Sequence, residues 1–221
     1  MDCLAGLQKI DDKSVDHIFT DPPYNVDKAS WDTGVLDLLD QTAKECGRVL
    51  KDDGLLFWFV PTRYLMKIGF LISQYIPYRW MFIWNTPNNM LVGDLGFSKY
   101  TAILVFSRSK SIYHNMQDLK SISWRPNKTG HPTPKPKELI RYLIKKVTDE
   151  NDLILDPFMG SGTTAIVCKE LNRKYVGFEL NPLYIDICEK RLSQETLSPF
   201  LVAQSNMLFN SENSNGEVKN K

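Results

Sequence analysis

The sequence has no apolar run long enough to cross a bilayer, no CxxC pair and only three histidines, His17, His114 and His131. The first absence excludes a membrane-spanning helix. The start, Met1-Asp2-Cys3-Leu4, lacks a basic stretch followed by an apolar one, so no signal peptide is expected. The four cysteines, Cys3, Cys46, Cys168 and Cys188, show no ligand spacing with the histidines, so no metal site is expected. Their thiols are expected to be reduced, as in a cytoplasmic protein. A phosphate-binding P-loop is also missing, because no Lys precedes Ser or Thr in the Gly-rich segment described below.

Net charge is nearly absent too: 27 Lys and Arg against 26 Asp and Glu give +1, which by itself points to no polyanionic partner. Its distribution says more. Between Arg108 and Lys146 stand ten Lys and Arg but only two acids, Asp118 and Glu138, so this stretch is +8 and the rest −7. A basic segment in a near-neutral chain fits a local nucleic-acid contact, and a solvated mixed surface is the plainer reading.

With 221 residues, 43% of them hydrophobic, the chain suits one α/β domain with a full core. That domain is expected over residues 1–210, with a short basic recognition segment at about 108–130 and a disordered polar tail at 211–221.

Strand and helix patterns alternate along it. Val15 to Thr20, Leu55 to Val60, Tyr78 to Trp84, Thr101 to Ser107, Leu153 to Asp156 and Lys174 to Leu180 read as strands. Helical spacing runs over Val35 to Leu50, Pro61 to Tyr75, Lys137 to Thr148, Thr163 to Leu171 and Pro182 to Leu192. Lys51-Asp52-Asp53-Gly54 reads as a turn between helix and strand, and a Gly/Asn/Pro-rich loop joins the third and fourth strands. The alternation implies a doubly wound, mostly parallel sheet covered on both faces, with ligands at the carboxyl ends of its strands.

Two motifs fall at such ends. Asp156-Pro157-Phe158-Met159-Gly160-Ser161-Gly162-Thr163-Thr164 follows a strand and opens a helix. Its glycines permit a tight turn and a close ligand approach. Glu179 closes the next strand, where a ribose-binding carboxylate belongs, so a nucleoside-containing cofactor is expected. A purely structural glycine turn is the alternative.

The other motif is Asp21-Pro22-Pro23-Tyr24. Prolines stiffen the backbone and leave its carbonyls free to accept. An aromatic amine is a poor nucleophile, because its lone pair is delocalised into the ring. The Asp21 carboxylate and the Pro22 carbonyl offer two acceptors for its two N–H groups, and Tyr24 offers a face for stacking. A base presented this way must first leave its duplex. A proline-rich turn is the structural alternative.

Together the motifs resemble the amino-methyltransferases of DNA, in the β-ordered group where Asp-Pro-Pro-Tyr precedes Phe-x-Gly-x-Gly. The resemblance runs from Met1 to about Leu192. It implies the Rossmann-like fold of methyltransferases dependent on S-adenosylmethionine, and transfer of a methyl group to N6 of adenine in DNA. N4 of cytosine is the nearest alternative, since Ser more often replaces Asp21 in the cytosine enzymes. It further implies Asp2, beside Cys3, at the cofactor adenine, Glu179 and Asn181 at the ribose, and Lys135 at the cofactor carboxylate. Phe158 would pack beside the cofactor, Gly160, Ser161, Gly162 and Thr163 would line its methionine part, and Asp21 and Asp156 would stand near its sulfonium. Lys28 and Trp31, in a loop with Asn25 and Asp32, together with Trp124, Arg125 and Lys128, are the expected DNA contacts. The implied partner is double-stranded DNA, and the resemblance admits a homodimer or a separate restriction or specificity subunit. A nicotinamide-dependent oxidoreductase would use the Gly160-to-Ala165 segment but leave Asp21 to Tyr24 idle. A non-catalytic nucleic-acid-binding module on the same fold is the other alternative. The family commonly has a strand before Asp-Cys-Leu; the expectation here is either that this strand is missing or that the run Phe200-Leu201-Val202-Ala203 fills the edge.

Overall fold

A computed structural model describes residues 1–24, 33–88, 91–93, 96–110, 115–123 and 134–194. The apolar runs become strands β1 (Val15–Thr20), β2 (Leu50–Val60), β3 (Tyr78–Asn85), β4 (Leu91–Gly93), β5 (Gly96–Ser98), β6 (Tyr100–Phe106), β7 (Leu119–Ser121), β8 (Leu153–Asp156) and β9 (Lys174–Gly177). The helices are α1 (Cys3–Leu7), α2 (Thr33–Val49), α3 (Leu65–Ser73), α4 (Lys137–Val147) and α5 (Thr163–Glu170), and residues 182–194 are also helical.

Seven strands form one sheet in the order β7-β3-β6-β2-β1-β8-β9. All run parallel except β6, which pairs antiparallel with both β2 and β3. Side chains alternate across β2, as a strand's period of two dictates. Leu56, Trp58 and Val60 join the layer under α1, α2 and α3, while Leu55, Phe57 and Phe59 join the layer under α4 and α5. The sheet is therefore covered on both faces, the doubly wound arrangement expected from the alternation.

Three local expectations are corrected. Lys51 to Gly54 is not a free turn but an irregular part of β2. The partner of Val15 is Leu50 and that of His17 is Leu55, so four residues bulge out between them. Lys51 holds the bulge through the Asp16 carboxylate at 2.5 Å, and Gly54 lies so near the Asp16 carbonyl that a Cβ would come within 2.5 Å. β9 ends at Gly177 rather than Leu180, because the chain turns there to place Glu179. The loop after β3 contains the separate β4–β5 hairpin, and β7 arises within the basic stretch, where no strand was expected.

Among the described residues, β9 is the edge strand on its side of the sheet. The candidate run Phe200 to Ala203, and the tail 211–221, lie outside the described residues. No described helix is long and apolar enough to cross a membrane.

Candidate active site

The strand order turns back between β1 and β8: from β1 the chain winds to β2 through α2 on one face, and from β8 to β9 through α5 on the other. Ligands bind at such a switch point. A cleft of about 570 Å³ opens there, walled by Asp2, Asp21, Tyr24, Lys135, Phe158 and Glu179 with their neighbours. A smaller pocket of about 80 Å³ continues from it between the ends of β1 and β8 and shares Asp21, Lys135, Phe158 and Gly160 with the cleft.

Asp21 follows the last residue of β1, and its carboxylate is ion-paired to the Lys135 ammonium. Lys135 precedes α4 and also lies over the Phe59 ring, 5.5 Å from its centroid. Two loops from distant parts of the sequence thus meet through opposite charges at the mouth of the pocket.

Tyr24 is buried. Its hydroxyl donates to the Phe59 carbonyl at 2.7 Å and accepts from the Trp58 indole N–H at 2.7 Å. Burial, with the charge of Asp21, pushes the phenol well above its ordinary range, so it stays neutral. The ring stacks on Tyr64 with centroids 5.9 Å apart. The hydroxyl is committed to the scaffold, which leaves ring surface for the cleft.

At the end of β8, Asp156 is 6% exposed. It accepts the Thr164 hydroxyl at 2.6 Å and the Phe158 amide at 3.2 Å. Burial pushes its carboxyl up to about 7, the Asp21 charge adds to this, and the two hydrogen bonds oppose it. The Thr20 hydroxyl is buried on the wall of the same small pocket, with no hydrogen-bond partner among the described residues.

The Gly-rich loop needs its glycines. Gly160 and Gly162 have φ of 54° and 80°, and a Cβ on Gly162 would stand 2.2 Å from the Cys188 sulfur. Gly162 is the N-cap of α5. Glu179 braces the loop: one carboxylate oxygen accepts the Gly160 amide at 2.9 Å, and the other accepts those of Leu180 and Asn181 at 3.0 and 2.8 Å. Asp2 caps α1, one oxygen accepting from Leu4 and Ala5. Cys3 is buried on the cleft wall, and burial raises its thiol, as expected of an unreactive cysteine.

Asp2, Cys3, Asp21, Pro22, Pro23, Tyr24, Lys135, Phe158, Gly160 and Glu179 therefore converge on the cleft, while Asp156, Ser161 and Thr163 line the small pocket. Gly162 and Asn181 line neither; Asn181 instead accepts the Leu183 amide at 3.0 Å. Lys28, Trp31, Trp124, Arg125 and Lys128 lie outside the described residues, as do Asn25 and Asp32.

Besides Lys135, further described members of the basic stretch are engaged within the molecule. Arg108 donates to the Gly47 carbonyl at 2.7 Å, and Lys137 and Arg141 pair with Glu170. The sequence did not reveal Arg191, whose guanidinium grips the Gly-rich loop, because the charged run Glu189-Lys190-Arg191 late in a helix reads as solvated.

The donor set fits an adenosyl sulfonium cofactor. Carboxylates at Asp2, Asp21 and Glu179 suit amine, hydroxyl and cationic groups, Phe158 and Phe178 give flat apolar walls, and the volume is that of ordinary ligand clefts. Among the described residues no cluster could hold a metal.

Fold and cleft together define an α/β enzyme whose ligand lies over the carboxyl rim of a mostly parallel sheet. The family model for DNA methylases of the N6/N4 type matches residues 15–190, and this chain belongs to that family, whose cofactor is S-adenosylmethionine. The Type II methyltransferase M1.MboII of Moraxella bovis is 30% identical over 247 aligned positions, covering 88% of this chain and 95% of that protein. The DNA adenine methyltransferase YhdJ of Escherichia coli (strain K12) is 29% identical, covering 86% and 80% respectively. Among solved structures, the M1.HpyAVI–SAM complex is 26% identical with a TM-score of 0.68, covering 87% of this chain and 96% of that one. The cytosine-N4-specific PvuII DNA methyltransferase has a TM-score of 0.74 at 21% identity, a likeness of fold, covering 86% and 84%. Membership in the family sets aside the oxidoreductase reading.

Proposed function

We propose that this DNA methyltransferase acts on the exocyclic N6 of adenine, with Asp21, Pro22, Pro23 and Tyr24 holding the target amine. The observation that carries the reading is Asp21: its carboxylate stands on the wall common to the cleft and the small pocket, charge-balanced by Lys135. Asp rather than Ser at this position favours adenine, and the relative YhdJ is named an adenine methyltransferase.

Bound in the cleft, the cofactor supplies a methyl group already activated on a sulfonium. The protein's contribution is then placement. Asp21 and the Pro22 carbonyl accept the two N–H groups and aim the nitrogen lone pair into the cleft. Tyr24 presents its ring, held from behind by Trp58 and Phe59. The proton shed on methylation leaves toward an Asp21 carboxylate oxygen. Lys135 takes the carboxylate end of the cofactor, and Glu179 and Asp2 receive its ribose and adenine. The base reaches this site only after leaving the duplex.

The test is incubation with S-adenosylmethionine and unmethylated DNA, beside Asp21→Ala, followed by mass spectrometry of nucleosides. N6-methyladenine from the wild type alone is the expected result. N4-methylcytosine would move the reading to the other amine, and equal product from Asp21→Ala would overturn the catalytic assignment.

A further inference from the structure

Of the β4–β5 hairpin, the described side chains of β5 belong to neither the core nor the cleft. The hairpin is nonetheless fixed. Thr86 is 3% exposed, and both its amide and its hydroxyl donate to the Lys99 carbonyl, at 2.6 and 2.9 Å, closing the base of the arm. On β5, Phe97 is 67% exposed. Lys99 is exposed next to it.

Strand register gives the arm its place. Thr20 pairs with Trp58, Trp58 with Leu104, and Tyr100 with Asn85 at the end of β3. Tyr100 is four residues beyond Leu104 in the direction of the carboxyl rim, about 14 Å above the row of Thr20 at ~3.4 Å per residue. Across the sheet, β6 is two strands from β1, about 10 Å at ~4.8 Å per strand. The base of the arm thus stands beside the cleft, above the level of Asp21. Arg63, exposed just beyond the end of β2, fills the interval, its guanidinium 5.9 Å from the centroid of Tyr64, which in turn stacks on Tyr24.

The geometry points to this arm as a duplex-DNA contact, with Phe97 pressed against the groove or a base step and Arg63 and Lys99 on the phosphates. A duplex serving a cleft on this rim has to lie against the arm. At ~3.4 Å per base step, a lateral offset of about 10 Å puts the contact about three base pairs from the target. An exposed aromatic flanked by cations matches the chemistry of a groove and its phosphates, where apolar wedges are inserted between base steps.

The test measures affinity for a short fluorescent duplex of random sequence by anisotropy across a salt series. Because no methyl transfer is involved, the result is independent of which base is methylated. Arg63→Glu with Lys99→Glu is expected to weaken binding about tenfold and to lower the slope of log K against log salt by about two. Phe97→Ser is expected to lower kcat/KM for plasmid methylation about tenfold, with S-adenosylmethionine affinity by calorimetry unchanged and Phe97→Trp retaining activity. If the charge-reversed pair loses cofactor binding as well, Arg63→Gln with Lys99→Gln reads the same slope in a folded protein. An unchanged affinity and slope would overturn the proposal. So would a Phe97→Ser variant that changes only sedimentation, which would make the arm a contact between copies of the chain.

Discussion

Arg191 donates to the Ser161 carbonyl at 2.5 Å and to the Ser161 hydroxyl at 3.1 Å, tying the 182–194 helix to the Gly-rich loop. One turn earlier, Cys188 abuts Gly162. The Gly-rich loop is therefore shaped from behind by a helix whose Tyr184 also lines the cleft. Arg191→Ala should weaken S-adenosylmethionine binding about tenfold without DNA present, in line with ~1.5–3 kcal/mol for a hydrogen bond from a charged donor. Arg191→Lys should restore part of it. Calorimetry showing wild-type affinity in Arg191→Ala would make the contact purely structural.

Glu179 gathers three backbone amides before any ligand arrives. Removing its side chain leaves those amides to water and releases Gly160 as well as the strand end. Glu179→Ala should lower cofactor affinity more than tenfold and the melting temperature together, because each lost partner costs roughly 1–3 kcal/mol before solvent takes over. Glu179→Gln keeps one acceptor oxygen and should fall between. Equal affinity in wild type and Glu179→Ala would dismiss the ribose role.

Tyr24 separates two contributions in one side chain. Tyr24→Phe keeps the ring against Tyr64 but leaves the Trp58 N–H unpaired in a buried place. A stability loss of roughly 1–3 kcal/mol is expected, with methylation largely retained at a temperature where the variant is folded. Tyr24→Ala should lose methylation. A Tyr24→Phe variant that melts like the wild type but does not methylate would give the hydroxyl a chemical task.

Asp156 sets a pH dependence of known sign. Burial lifts its carboxyl from 3.8 to about 7, so between those values the folded chain holds a proton that the unfolded chain has released. Folding takes up a proton there, and this contribution to stability falls as pH rises through the window and levels off above it. Asp156→Asn has no proton to lose, and its amide still offers a partner to Thr164. Melting curves should therefore show the variant gaining on the wild type from about pH 4 to about pH 7 and no further above it. A constant difference between the two would mean that Asp156 is ionised throughout.

The strands β1 and β8, and the glycines after β8, were legible because each is a short apolar run ended by a residue of strong preference. Asp21 and Asp156 mark strand ends as clearly as any pair of residues can. The irregular start of β2 was not legible: Lys51 to Gly54 has turn composition, and only the Asp16 side chain and backbone, far away in sequence, draw it into the sheet. β7 is three residues long and polar, and it becomes a strand because β3 offers an open edge. The convergence of Asp21 with Lys135 was foreseen by resemblance. Their direct ion pair was not, since nothing in either local sequence names the other.

The one strand that runs backwards, β6, has a consequence for how this protein can change. It carries the chain from the carboxyl rim to the opposite edge, and Arg108 is anchored down there on Gly47. β7 then returns it, so that Ser121 stands level with Asn85 on the rim, and Pro134 resumes on the wall of the small pocket. Both attachment points of the stretch between them are fixed, one on the edge of the sheet and one on the pocket wall. Its length and composition can therefore drift without shifting either wall. The alignment with M1.MboII extends to 247 positions, more than this chain's 221 residues, so inserted residues are tolerated somewhere between such relatives. A change of recognised DNA sequence could in this way be inherited as a cassette, leaving the methyl-transfer chemistry as it was.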